Sequence, residues 1–277
     1  LVYDLSDEHR VSLVGLWSDD HNNPDAETAV ENDMQHYGSQ EIYNYTGGLT
    51  WRALWNASTY SSTSLSYTGQ SFREHGKKTG TDLPIRDNVS DEHWLQLRSE
   101  TRVRLSPRFS VNFGGDAKLL FNSYDNRYHP ITDPLGNPVP GFTFDRSVDN
   151  LLAGLHATAE LKPLPEVTLM AGFRAQYNDW NGRMTWQPRG SLAWQLTPLT
   201  TFSVAGGLYT QSLPLLLLAQ DDANHALPDP QAVHGVLSIA HLLTESTRLT
   251  LEGYVKEYDR FPVDITQTAV LLPGVMS

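Results

Sequence analysis

The 277-residue sequence contains no cysteine. A disulfide scaffold, a cysteine zinc site and a thiol nucleophile are therefore excluded. It has no long apolar run. The longest, residues 213–219, is broken by Pro214 and is far too short for a membrane-spanning helix. It lacks a basic balance as well: the formal net charge is -12, which disfavours nucleic-acid partners. No segment with a charged, then apolar, then small-residue order opens the chain. A sustained helical period is missing, as are a glycine-rich phosphate loop, a His-Glu-x-x-His helix and a nucleophile elbow. Apolar residues reach only 39%, lean for a soluble core of this length.

What is present is alternation. Period-two segments run at about 9–19, 39–55, 59–74, 92–105, 109–126, 147–161, 166–179, 185–196, 201–211, 231–243 and 248–261. Most exceed the roughly 5–6 residues usual in globular sheets and match the roughly 9–11 needed to cross a bilayer at a tilt. Short turns near 56–58, 106–108, 162–165, 197–199 and 244–246 alternate with longer connections at about 20–38, 75–91, 127–146 and 212–230. The connection near Asn181-Gly182-Arg183 is short. Alternate short and long connections are expected of outer-membrane barrels.

The faces agree. Phe109, Val111, Phe113, Gly115 and Ala117 alternate with Ser110, Asn112, Gly114, Asp116 and Lys118, and Leu249, Leu251, Gly253 and Val255 with Thr250, Glu252, Tyr254 and Lys256. Tyr43, Tyr45, Leu49, Trp51, Ala53 and Trp55 share one face, with aromatics at both ends as in two interfacial girdles. The expected fold is all-β: a transmembrane antiparallel up-and-down barrel, partial, with about 11 strands of about 22. The soluble alternative, an antiparallel sheet with one wet face, would need Trp51, Phe113 and Leu249 to meet in a shared core.

Two sets of residues are candidates for function. Arg98, Glu100, Arg102, Arg104, Asp116, Lys118, Arg174, Glu252 and Lys256 fall in one alternation class and are expected to face an enclosed interior. There they would line water, grip a separate plug domain, or pair across strands. Asp19, Asp20, His21, Asp221, Asp222 and His225 lie in acidic outer connections and are candidate ligand contacts. Their spacing matches no metal-binding loop, so no metal and no cofactor is expected. A solvated acidic surface is the plain alternative. The run Leu213-Pro214-Leu215-Leu216-Leu217-Leu218 is expected to pack as a short helix against neighbouring loops.

Residues 187–264 resemble the barrel of TonB-dependent outer-membrane receptors. Gln187-Pro188-Arg189-Gly190-Ser191-Leu192-Ala193-Trp194 is similar to a family strand opened by a Pro-Arg pair. Gly206-Gly207-Leu208-Tyr209-Thr210-Gln211-Ser212-Leu213-Pro214 resembles the next strand, which leaves the membrane at an aromatic-x-Gln. Gln231-Ala232-Val233-His234-Gly235 resembles the re-entry after that loop. Leu251-Glu252-Gly253-Tyr254-Val255-Lys256-Glu257-Tyr258-Asp259 resembles an ascending strand with a Tyr-x-Lys-x-Tyr pattern.

The resemblance implies an outer-membrane location in a Gram-negative bacterium. It implies residues 1–277 as part of the barrel, without the plug and the terminal strands. It also implies uptake of a scarce nutrient (iron chelate, cobalamin or glycan) without covalent chemistry. Expected partners are outer-membrane lipid and lipopolysaccharide, TonB acting through the plug, and a small nutrient. Both ends of the chain read as cuts. Alternatives are a passive porin, an outer-membrane enzyme using Asp221, Asp222 and His225, and a soluble sugar-binding β-protein. The acidic loops argue against anionic siderophores.

Overall fold

The computed structural model describes residues 1–132 and 136–262. Twelve strands form one antiparallel sheet. They are β1 (Val2–Asp4), β2 (His9–Asn22), β3 (His36–Asn56), β4 (Thr59–Lys78), β5 (Pro84–Ser106), β6 (Phe109–Tyr128), β9 (Phe142–Leu164), β10 (Val167–Asn178), β11 (Arg183–Thr197), β12 (Thr200–Thr210), β13 (Gln231–Leu242) and β14 (Arg248–Asp259), each beside its chain neighbour. A two-residue hairpin, β7 (Ile131–Thr132) with β8 (Pro138–Val139), sits in the connection from β6 to β9. Helix α1 (Ala26–Glu31) follows β2. Helix α2 (Leu215–Leu218) and a 3-10 turn (Asp222–Ala226) follow β12.

The registers carry the alternation across the wall without a break. One row reads Leu13, Leu49, Leu65, Leu97, Ala117, Ala153, Tyr177, Met184 over eight strands. The next row on the opposite face reads Ser12, Thr50, Ser64, Arg98, Asp116, Gly154, Gln176, Thr185. A one-residue slip anywhere would mix the faces. Three short turns use one local device: a side-chain oxygen accepts from the amide two residues on, in Asn56 with Ser58 (2.8 Å), Ser106 with Arg108 (3.2 Å) and Thr197 with Leu199 (3.2 Å).

The apolar face is not a core. Phe113 is 46% and Leu249 59% exposed, so they do not meet in a shared interior. The accessible surface is 18417 Å², against about 12,000 Å² for a compact monomer of this mass. Among the described residues only a few hydrophobic side chains are buried, including Tyr124, Phe144, Leu215, Leu218 and Ala219, and these five gather at one end. Aromatic clusters edge the apolar band. His9, Trp51 and Trp55 pack at 5.6–5.8 Å at the short-turn end. Tyr45, Tyr67 and His93 pack at 6.1–6.2 Å towards the other. From Tyr45 to Trp55, ten residues at about 3.3 Å each and a tilt near 40° make a height of about 25 Å, the height of an outer-membrane apolar band.

The structure departs from the sequence expectation at the long-connection end. β5 begins at Pro84 and β4 runs to Lys78, so the expected long connection at 75–91 shrinks to residues 79–83. There the strands rise past the apolar band, both faces turn polar, and the hydrophobic period vanishes while pairing such as His75 with Asp87 continues. α1 and the β7–β8 hairpin were not anticipated as elements. Helix α1 is set by Asp25, whose side chain accepts from the Thr28 amide at 2.8 Å. The expectation of no terminal aromatic strand at 273–277 lies outside the described residues.

Candidate functional site: the polar wall and its capped mouth

The nine predicted interior charges all fall on the polar face, and Ser62, Ser64, Ser110, Asn112 and Ser238 are among their partners in register. They divide into two kinds. The central ones are paired within the wall. Arg98 bonds Glu100. Arg174 of β10 makes a two-pronged bond to Asp116 of β6 at 2.8 and 3.1 Å, passing over β9 between them. His156 of β9 reaches Glu100 of β5 at 3.7 Å, passing over β6.

Each crossing runs above a glycine. A Cβ on Gly154 would collide with the Arg174 guanidinium, and one on Gly114 would meet the His156 ring. The glycines lower the floor so that the charged chains lie flat. The other charges are freer. Arg102 is 3.7 Å from Glu160 and largely exposed. Arg104 and Glu252 have no ion pair among the described residues. Lys118 and Lys256 sit over the rings of Trp94 and Tyr254 at 4.2 and 5.6 Å.

Gly154→Leu is expected to push Arg174 off Asp116 at a cost of about 1–3 kcal/mol, the usual range for overpacking. The check is a lower urea midpoint in lipid vesicles than for Ala153→Leu, which puts the same side chain on the other face.

At the long-connection end the polar face becomes an asparagine network. Asn88, Asn122, Asn126, Asn150 and Asn178 are all buried. Asn150 donates to Asn178 (3.1 Å), Asn178 donates to Asp229 (3.3 Å), and the Trp180 amide donates to Asn150 (2.9 Å). Asn122 donates to the Tyr124 hydroxyl (2.8 Å), which donates to Glu92 (2.7 Å).

The connection from β12 to β13 folds over this network. Leu216 and Ala219 pack on Tyr124, Phe144, Val148 and Trp180. Asp222 pairs with Arg146 of β9, and that hydrogen bond holds the Asp222 carboxyl below its ordinary range. The His225 ring stacks on Trp180 at 3.9 Å, and its Nδ1 lies 2.8 Å from the Trp180 carbonyl. A carbonyl only accepts, so Nδ1 carries the proton. The helix expected around residues 213–218 is therefore present, but its main seat is the polar face of β6 and β9 as well as neighbouring loops.

The predicted outer ligand residues are not brought together as one site. Asp221, Asp222 and His225 share the cap, where Asp221 accepts from the Ala223 amide at 2.8 Å. Asp19 and His21 pair with each other at 2.5 Å on the apolar-face parity of β2, while Asp20 has the opposite parity. Seven strands separate β2 from β12. Sequence reading passed over the asparagines, Tyr124, Arg146 and Trp180. The available signal was five asparagines, poor strand formers, all at polar-face parity near one end of their strands.

Burial raises the Asp229 carboxyl above its ordinary value, against the opposing hydrogen bonds from Asn178 and Asn181. A folded-state pKa that is raised favours the closed cap below the unfolded value and weakens it as pH climbs through the raised one. From about pH 4 upward the cap should therefore loosen. Asp229→Asn should remove this dependence and leave the cap tighter at neutral pH. Hydrogen exchange of residues 215–230, corrected for intrinsic rates, measures both.

A one-sheet wall with an apolar outer face, aromatic borders and a polar face capped at one end has the fold of outer-membrane receptor barrels. The comparisons agree. The siderophore receptor PirA from Acinetobacter baumannii superposes with a TM-score of 0.70 at 14% identity, over 93% of this chain and 42% of that one. The ferripyoverdine receptor of the outer membrane of Pseudomonas aeruginosa, bound to ferripyoverdine, gives 0.68 at 10% identity over 93% and 40%. The outer membrane transporter YddB from Escherichia coli gives 0.61 at 11% identity over 88% and 37%. The chain thus spans about two fifths of these proteins. No family model matches the sequence, and no curated protein matches it.

Proposed function

We propose that residues 1–277 are part of the barrel of a TonB-dependent receptor in the outer membrane of a Gram-negative bacterium. On this reading, its apolar face meets lipid and lipopolysaccharide, and its polar face encloses a plug through which TonB acts. The cargo is a scarce nutrient bound at the mouth and moved without covalent chemistry. Among iron chelates, cobalamin and glycans, the likeness to siderophore receptors favours an iron chelate.

The observation that carries the reading is the cap. A connection of some twenty residues is folded inward onto a buried asparagine network, as a ligand-gating mouth requires. The acidic mouth is also less repulsive to an anionic chelate than the sequence suggests, because Asp222 is neutralised by Arg146 and Asp229 is buried. Arg102, Arg104, Glu252 and Lys256 are the charges left open for a plug.

The test is uptake by iron-starved cells producing the full protein. Ferric chelates should accumulate in energised cells and stop with a protonophore. Accumulation that ignores the protonophore, with steady single-channel conductance, would identify a porin instead.

A further inference from the structure

We propose that a row of basic side chains across the polar face of β11–β14 selects a ferric chelate whose iron is held by anionic planar rings, of the catecholate kind. The proposal rests on the receptor reading above and names the chemistry of its cargo.

The row is set by register. Arg189 of β11 pairs with Gly207 of β12, Gly207 with His234 of β13, and His234 with Lys256 of β14. The three basic side chains thus share one line across four strands, about 14 Å from end to end. A Cβ on Gly207 would lie 2.9 Å from that of Arg189, so the glycine keeps the floor between Arg189 and His234 bare.

No counter-charge accompanies them. β11, β12 and β13 contain no Asp or Glu, although the chain as a whole carries -12. On the polar face of β14 the one carboxylate is Glu252, four residues from Lys256. Elsewhere on this face Arg86, Arg98, Arg146 and Arg174 each hold a carboxylate. Here the partners are rings. The Arg189 guanidinium lies 5.3 Å from the centre of Tyr209, and Lys256 Nζ lies 5.6 Å from that of Tyr254. His234 stands between Tyr209 at 4.7 Å and Tyr258 at 6.4 Å.

The chemistry chooses the occupant. A cation resting on a ring keeps its charge and its N–H donors, so an anion can take them in charge-assisted hydrogen bonds. Tyr254 and Tyr258 are exposed and offer their faces for offset stacking on a planar ring. A neutral glycan brings no charge to the row, and a hydroxamate chelate brings no aromatic face. A catecholate complex brings both. The row also lies just below the base of the cap, where the Gln211 amide donates to the Pro230 carbonyl at 3.1 Å. The cap itself leans the other way, onto β6 and β9, and leaves the row uncovered.

The experiment uses the full protein, folded in detergent, and equilibrium dialysis against radiolabelled ferric tris-catecholate and a ferric trihydroxamate. The catecholate is expected to bind more tightly. Arg189→Gln with Lys256→Gln should weaken it about tenfold or more, the loss expected for a charge-assisted hydrogen bond, and leave the hydroxamate unchanged. Tyr258→Leu should weaken the catecholate about threefold to tenfold through the lost ring contact. Arg248→Gln, on the same face at the short-turn end of β14, should change neither. Heat-modifiability shows that each variant has kept its barrel. A wild type without preference, or a double variant that retains its catecholate affinity, overturns the proposal. So does equal loss of both chelates, which would mark the row as a seat for the plug. Energised uptake that proceeds in cells with the row neutralised would lose this site and keep the receptor reading.

Discussion

Ala157→Arg is expected to block assembly of the wall, whereas Thr158→Arg one residue away is expected to be tolerated. Ala157 pairs with Phe113 on one side and Phe173 on the other, near the middle of the apolar band. An arginine facing hydrocarbon at that depth costs about 2–4 kcal/mol. A sheet of this kind is marginally stable like any other fold, so that loss is a large part of the whole. Thr158 pairs with Asn112 and Gly172 on the polar face, where a guanidinium meets water or carboxylates. The measurement is the yield of heat-modifiable protein in outer membranes and the urea midpoint after refolding into vesicles. Equal behaviour of the two variants would refute the assignment of the faces.

Tyr124→Ala is expected to release the cap while leaving the sheet paired. Tyr124 is fully buried, stacks on Phe144 at 5.6 Å, packs against Ala219, and joins Asn122 to Glu92 through its hydroxyl. Loss of a buried aromatic ring costs about 3–5 kcal/mol. The cost falls on the cap, because β6 keeps its backbone ladder to β5 and β9. Amides that close α2, such as Ala219 to Leu215, should exchange orders of magnitude faster, while those of β6 between residues 111 and 121 stay protected. Tyr124→Phe keeps the ring and loses only the hydroxyl bonds. It should show the smaller loss of about 1.5–3 kcal/mol expected for a hydrogen bond to a charged group.

The sheet was legible in the sequence because one penalty writes it. Wherever a strand crosses the apolar band, charge must keep one parity, so Arg98, Glu100, Arg102 and Arg104 announce both the strand and its inner face. Outside the band the penalty disappears. That is why the upper parts of β4 and β5, with His75, Arg86, Asp87 and Asn88, read as a loop although they are paired. The cap was only half legible. Four consecutive leucines marked a short helix, but its seat depends on Tyr124, Phe144 and Trp180, which are far away in sequence. The grouping of Asp19, Asp20 and His21 with Asp221, Asp222 and His225 rested on composition alone, and composition carries no information about which strands separate two loops.

The strand-skipping ion pairs have a consequence for alignment. A slip of two residues between antiparallel strands keeps every side chain on its proper face, so the oily and polar patterns cannot detect it. The crossing of Arg174 over Gly154 to Asp116 can. If β9 moved by two residues, Leu152 or His156 would stand beneath the guanidinium, and the bridge from β10 to β6 could not close. Gly114 beneath His156 and Glu100 poses the same condition one strand earlier. The wall therefore carries its own lock and key for registration, cut from a missing side chain and a pair of opposite charges, and only the native offset fits it.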